Sequence, residues 1–261
     1  MKGIKAAFFD IDGTVVSFKT HRMPDDVRSA LLALHDKGVK IVIASGRPIT
    51  YIDNIKDIPV DAWTGCNGAQ VQDSCGRLLF SNPIDREQAV LIARIAVERR
   101  IPTYTFSHVE SGINCMNERS YHIRDLLNIK IPPERDLVEM CSNHPIYEFT
   151  TYVTQEEESA IFRPMIRNVE YIRWHPMFTE INPDGIDKGV ALRKLCGIWG
   201  ISPEETAAFG DGGNDIPMLR AAGVSVAMGG AKPEVLAAAD MCTTSVDDYG
   251  IPNAFKQLGL L

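Results

Sequence analysis

Residues 39–44 read VKIVIA, an apolar run without alternation. A strand with one wet face alternates polar and apolar residues. One that is apolar on both sides belongs inside a parallel sheet covered on both faces. Parallel neighbours need a crossover connection, usually a helix, and the chain supplies one. Residues 4–10 form a first short apolar strand. A helix is predicted over about 24–37, with Pro24 at its start, Asp25 and Asp26 in its first turn and Gly38 just past its end. Val27, Leu31 and Leu34 mark its buried face. Strand, helix and strand in this order imply a right-handed crossover.

The same grammar returns at the far end. A helix in GIDKGVALRKLCGIWG leads to a strand, TAAFG at 206–210. A helix in DIPMLRAAG, closed by Gly223, leads to the strand VSVAM at 224–228, and a helix in PEVLAAAD follows. Both ends predict parts of one α/β, doubly wound, mostly parallel sheet of Rossmann-like kind.

The middle has another rhythm. DREQAVLIARIAVERR predicts a helix capped by Asp85, with Gln88 completing a capping box, and TQEEESAIFRPMIRN a helix capped by Thr154 with Glu157 as partner. TYTFS, GINCM, IYEFTTYV and VEYIRW suit strands, and NERSYHIRDLL a helix. Asn82-Pro83 and Pro183-Asp184-Gly185 are turn-forming. The expected organisation is 1–82 as the first part of the core, 83–183 as an inserted α+β domain, and 184–261 as the second part.

Bulk properties narrow the function. The 261 residues are 45% hydrophobic, ordinary for a globular protein, and carry a formal net charge of -7. That balance disfavours nucleic acid and anionic membrane surfaces, which want Lys/Arg stripes. Six cysteines show no CxxC spacing, so reduced thiols in a cytoplasmic protein are expected. No stretch approaches the roughly 20 apolar residues of a membrane span, and no obligate protein partner is evident.

In an open parallel sheet, ligands bind beyond the carboxyl ends of the strands. Four loops belong there. The first carries Asp10, Asp12, Gly13 and Thr14; the second reads Ser45-Gly46-Arg47-Pro48; DGIDKG sets Lys188 at a helix start; GDGGND offers Asp211, Asn214 and Asp215. Carboxylates gathered in one place repel, and oxygen-only ligands select a hard cation such as Mg²⁺, which prefers one or two carboxylates plus a substrate phosphate. Lys188 suits phosphate oxygens, and Ser45 with a Gly-containing loop gives neutral donors. In an extended segment Asp10 and Asp12 would face the same way. Asp10 is the candidate nucleophile, forming an aspartyl-phosphate, and Asp12 the acid and then base.

Together, D-x-D-G-T after an apolar strand, Ser-Gly-Arg-Pro, the helix-leading lysine and G-D-G-x-N-D resemble the haloacid dehalogenase (HAD) superfamily. The insertion and GCNGA at 65–69 resemble its Cof-like, class IIB, C2-capped sugar-phosphate phosphatases. The resemblance implies Asp10 and Asp211 as Mg²⁺ ligands with Asp12 contributing its backbone carbonyl, and Asp215 in support at one remove or through water. It further implies that Ser45, Gly46, Lys188 and Asn214 hold the phosphate of a small phosphate ester. Arg47 is divided between substrate and an ion pair with a carboxylate, Asn67 between lining the site and shaping a turn, and Thr14 is as much structural as catalytic. A phosphomutase using the same nucleophile is the alternative enzyme. A phosphorylated receiver domain is the non-enzymatic one, and it leaves so large an insertion without a task.

Overall fold

The computed structural model describes residues 3–55, 57–127 and 130–261. Its elements follow the apolar pattern. Strand β1 (Ala6–Phe9) leads through helix α1 (Asp25–Asp36) to β2 (Lys40–Ala44), and β3 (Ala62–Gly65), β4 (Gln70–Asp73) and β5 (Leu78–Ser81) complete the first segment. Then come α2 (Arg86–Glu98), β6 (Thr103–Phe106), β7 (Ser111–Ile113), α3 (Glu118–Leu127), α4 (Leu137–Asn143), β8 (Glu148–Thr151), α5 (Gln155–Ile161), β9 (Val169–His175) and β10 (Phe178–Pro183). The last segment holds α6 (Lys188–Trp199), β11 (Thr206–Gly210), α7 (Ile216–Ala221), β12 (Val224–Ala227), α8 (Pro233–Leu236), β13 (Met241–Cys242) and α9 (Gly250–Leu258).

The chain divides into two compact units, Met1–Ser81 with Asp187–Leu261, and Asn82–Ile186. In the first, eight strands run in the order β13-β12-β11-β1-β2-β3-β4-β5. Pairing is parallel from β13 to β3 and antiparallel for β4 and β5. The absence of alternation in VKIVIA has its reason here. Ile41 and Ile43 pack on one side of the sheet with α1 and α9, while Val42 and Ala44 pack on the other with α6 and α7. Phe9 and Phe209, direct neighbours in the β1–β11 register, stack at 4.7 Å.

The second unit is a five-stranded antiparallel sheet in the order β7-β6-β8-β10-β9. One face, with Phe149 and Ile181, packs with residues of α2 and α4. Asp85 caps α2 by accepting from the N–H groups of Glu87 and Gln88. Gln88 does not close a capping box: its side-chain oxygen instead accepts from the Arg167 N–H at 2.8 Å. Thr154 and Glu157 do form one on α5.

Three end elements differ from expectation. The helix in PEVLAAAD stops at Leu236, because Asp240 is drawn to β12, accepting from the N–H and hydroxyl of Ser225. The helix in TQEEESAIFRPMIRN stops at Ile161, ahead of Pro164, which has no N–H to continue it. Helix α7 ends at extended Ala222, and Gly223 is no left-handed cap. A Cβ at Gly223 would lie 2.3 Å from the Glu204 carbonyl oxygen, so close packing explains the glycine. No helix of the described residues is long and apolar enough to cross a membrane.

Candidate active site

Because β11, β1, β2 and β3 are adjacent and parallel, the residues after them emerge at one edge. They are Asp211, Asp10, Ser45 and the Cys66–Gly68 turn. Lys188 is the first helical residue of α6, whose cap Asp187 accepts from the Val190 N–H at 2.7 Å.

Lys188 is buried and bridges two carboxylates. Its Nζ donates to Asp10 Oδ1 at 2.5 Å and to Asp215 Oδ1 at 2.6 Å. The other oxygen of Asp215 accepts from the N–H groups of Asp211 and Gly212, at 3.0 and 2.9 Å. Both oxygens of this buried side chain are therefore committed to holding the lysine and the glycine loop. Asp211 accepts from the Thr14 hydroxyl at 3.4 Å.

The Asp10 N–H still donates to Phe209 in sheet fashion, at 3.0 Å. Beyond it the chain turns. The Ile11 carbonyl accepts from the N–H groups of Thr14, Val15 and Val16, and Gly13 sits at φ 84°. A Cβ at Gly13 would lie 2.3 Å from Asp211 Oδ2, so the turn closes over Asp211 only with glycine there. This corrects the extended-segment expectation: Asp12 lies on a tight turn, with its carboxylate 2.6 Å from Arg47 Nη2. Arg47 thus makes an ion pair with a carboxylate.

Ser45 is buried, and its oxygen accepts from the Arg47 N–H at 3.0 Å, which leaves its own O–H as a donor. Gly46 is hemmed in by Asn67 and Asn214, whose amide atoms would lie 3.2 to 3.6 Å from a Cβ there. Asn214 Nδ2 donates to Asn67 Oδ1 at 3.0 Å. Asn67 sits at φ 53°, between Cys66 at 50° and Gly68 at 102°. It shapes a left-handed turn, one of the two roles weighed for it, and its side chain accepts from Asn214. The Asn-Gly pair signals the turn; nothing local to the sequence signals a partner 147 positions away.

Charge in the cluster is unbalanced. Ligand atoms of Asp10, Asp211 and Asp215 lie within 4.8 Å of one another, against one ammonium. Burial alone would lower Lys188, but Asp10 and Asp215 outweigh it and hold the lysine protonated. Burial first, then Asp215, pushes the Asp10 carboxyl up to about 8, against the pull of Lys188. Burial and Asp215 likewise push Asp211 up to about 6. Surplus negative charge on oxygen-only donors fits a hard divalent cation.

The comparisons with known proteins agree with this chemistry. Residues 7–255 match the haloacid dehalogenase-like hydrolases, and the chain belongs to that family. Its relatives narrow the class to phosphatases. The chain is similar to the HAD phosphatase BT1666 from Bacteroides thetaiotaomicron, with 32% identity, 99% of this chain and 96% of that one covered, and a TM-score of 0.89. It is similar to the subclass IIB sugar phosphatase BT4131, with 37% identity, 98% and 100% covered, and a TM-score of 0.83. It also aligns over its full length, at 28% identity, with a bifunctional phosphatase/peptidyl-prolyl cis-trans isomerase of Streptococcus pyogenes, of which it spans 55%. The protein is a HAD-superfamily hydrolase of the phosphatase class.

Proposed function

We propose that the protein hydrolyses small phosphorylated metabolites, sugar phosphates foremost, with Mg²⁺ and through an aspartyl-phosphate on Asp10. The bridge from Lys188 to Asp10 and Asp215 carries this reading. Lys188 engages Oδ1 of Asp10 and leaves Oδ2 for attack. An ammonium has three N–H donors; with two on carboxylates, the third serves a phosphate oxygen. The Ser45 hydroxyl, the Gly46 N–H and the Asn214 amide complete the phosphate cradle, with Asn214 braced by Asn67.

In the first step Oδ2 of Asp10 forms a bond to phosphorus, the ester P–O bond breaks, and Asp12 gives its proton to the departing alkoxide. In the second, Asp12 takes a proton from water. The resulting hydroxide attacks phosphorus and releases inorganic phosphate with the Asp10 carboxylate restored. Arg47 holds Asp12 in place. Asp10, Asp211 and the Asp12 carbonyl would hold Mg²⁺, which when bound neutralises charge on the transferring phosphoryl group. Asp215 acts at one remove, through Lys188 and the loop.

Asp10→Asn is expected to lower p-nitrophenyl phosphate turnover by at least about 10³-fold with unchanged circular dichroism. A folded, active Asp10→Asn variant rejects the nucleophile. Release of inorganic phosphate without sugar-phosphate isomers separates hydrolysis from a mutase reaction.

A further inference from the structure

The second unit holds an open cavity of its own, of about 550 Å³, a size that suits a small organic ligand. Its wall forms where the end of α2, the residues ahead of β6, the start of α3, the residues after β8 and helix α5 meet. Ile101, Pro102, Val153 and Ile161 make up its apolar part. Three arginines, Arg99, Arg100 and Arg119, stand there against two carboxylates, Glu118 and Glu157.

Arg119 is held in place. Its Nη1 donates to the Tyr152 carbonyl at 2.9 Å and to Glu157 Oε2 at 2.5 Å, and its Nη2 to Glu157 Oε1 at 3.3 Å. That pair occupies Glu157. Arg99 and Arg100 are exposed and form no ion pair among the described residues, in a chain whose acids outnumber its bases by 34 to 27. A cation at a helix C-terminus is common, since the dipole favours it. Arg100 asks for more. It closes α2 at φ 51°, with its N–H donating to the Val97 carbonyl at 3.2 Å and the Ile101 N–H to Ala96 at 2.9 Å. That closure favours glycine at its left-handed position. An arginine there keeps a strain that glycine would relieve, and gives the cavity a second unpaired guanidinium.

We propose that this cavity binds a small organic anion, with a carboxylate or phosphoryl head on Arg99 and Arg100 and an apolar body against Ile101, Pro102, Val153 and Ile161. A guanidinium donates in parallel to two oxygens of such a head, and Arg119, already paired, braces the wall. The lining residues all lie in Asn82–Ile186. The site therefore needs nothing from the unit that carries Asp10, and its ligand is other than the phosphate ester.

The test titrates the full chain with 1-anilinonaphthalene-8-sulfonate, an anion with an apolar body, and follows its fluorescence. Saturation at one site per chain is expected. Arg99→Gln and Arg100→Gly each raise Kd at least about tenfold, the worth of one charged hydrogen bond. Arg100→Gly melts no lower than wild type, because glycine is unstrained at φ 51°, so its lost binding is not lost folding. Hexanoate displaces the dye if the natural head is a carboxylate, and hexylphosphonate if it is phosphoryl. Turnover of p-nitrophenyl phosphate, read as phosphate release, keeps its KM within about twofold in saturating dye.

No saturable binding, an unchanged Kd in either variant, or displacement by neither anion overturns the proposal. Equal affinity for uncharged N-phenyl-1-naphthylamine does so too, since the arginines would then be idle. A dye that competes with p-nitrophenyl phosphate belongs to the pocket around Asp10 and is equally fatal.

Discussion

Asn67 shows how a residue's backbone and side chain can be tested separately. At φ 53° its conformation is strained for alanine and free for glycine. Asn67→Gly is expected to keep Tm within a few degrees while losing the bond to Asn214 and lowering kcat/KM on every substrate. Asn67→Ala loses the same bond and about 1 kcal/mol of stability besides. Thermal melts with p-nitrophenyl phosphate kinetics check both; equal Tm in the two variants refutes the strain argument. Arg47 makes a parallel case. Arg47→Ala is expected to lower kcat more than KM, because Asp12 loses its orientation, and Arg47→Lys restores little, since a point charge does not reproduce the planar guanidinium. Full activity in Arg47→Lys would show that charge alone suffices. The gathering of Asp10, Ser45, Lys188 and Asp211 was legible because each follows or begins an element whose pattern is plain. The partners of Asn67 and Arg47 were not, since a side-chain bond spanning 147 residues leaves no local trace.

Elements with a cap and a clean apolar face were legible; elements whose limits depend on distant partners were not. Helix α4 escaped notice although Asp136 caps it and Leu137, Met140 and Cys141 are buried at helical spacing. Its 7 residues lie in a segment where Pro132, Pro133 and Pro145 suggest only loop. The β4–β5 hairpin was missed because its second strand, Leu78–Ser81, has no fully buried residue to mark a pattern. Caps also allow a comparison between the units. Asp187→Ala removes the α6 cap beside Lys188, and Thr154→Ala removes that of α5. Each is expected to cost about 1 kcal/mol. Only Asp187→Ala should lower turnover of p-nitrophenyl phosphate, because only α6 aims a residue at Asp10. Comparable activity in both variants would detach Lys188 from the position of its helix.

For the whole molecule, the cluster's excess of carboxylates is expected to make stability depend on cation supply. A ligand that binds only the folded state adds RT ln(1 + [L]/Kd), about 2.7 kcal/mol at a hundredfold excess over Kd. Adding MgCl₂ is expected to raise Tm and EDTA to reverse the gain, with Asp211→Asn abolishing most of the shift; an unchanged melt in saturating Mg²⁺ speaks against the site. Circular dichroism in EDTA should nevertheless match that in Mg²⁺. Lys188 is the reason: it reaches Asp10 and Asp215 as a counter-ion built into the polymer. On the proposed reading, a newly made chain in a magnesium-starved medium is expected to finish its reaction centre unaided. Loading would then be a diffusive encounter with a finished socket, reversible as ion supply rises and falls.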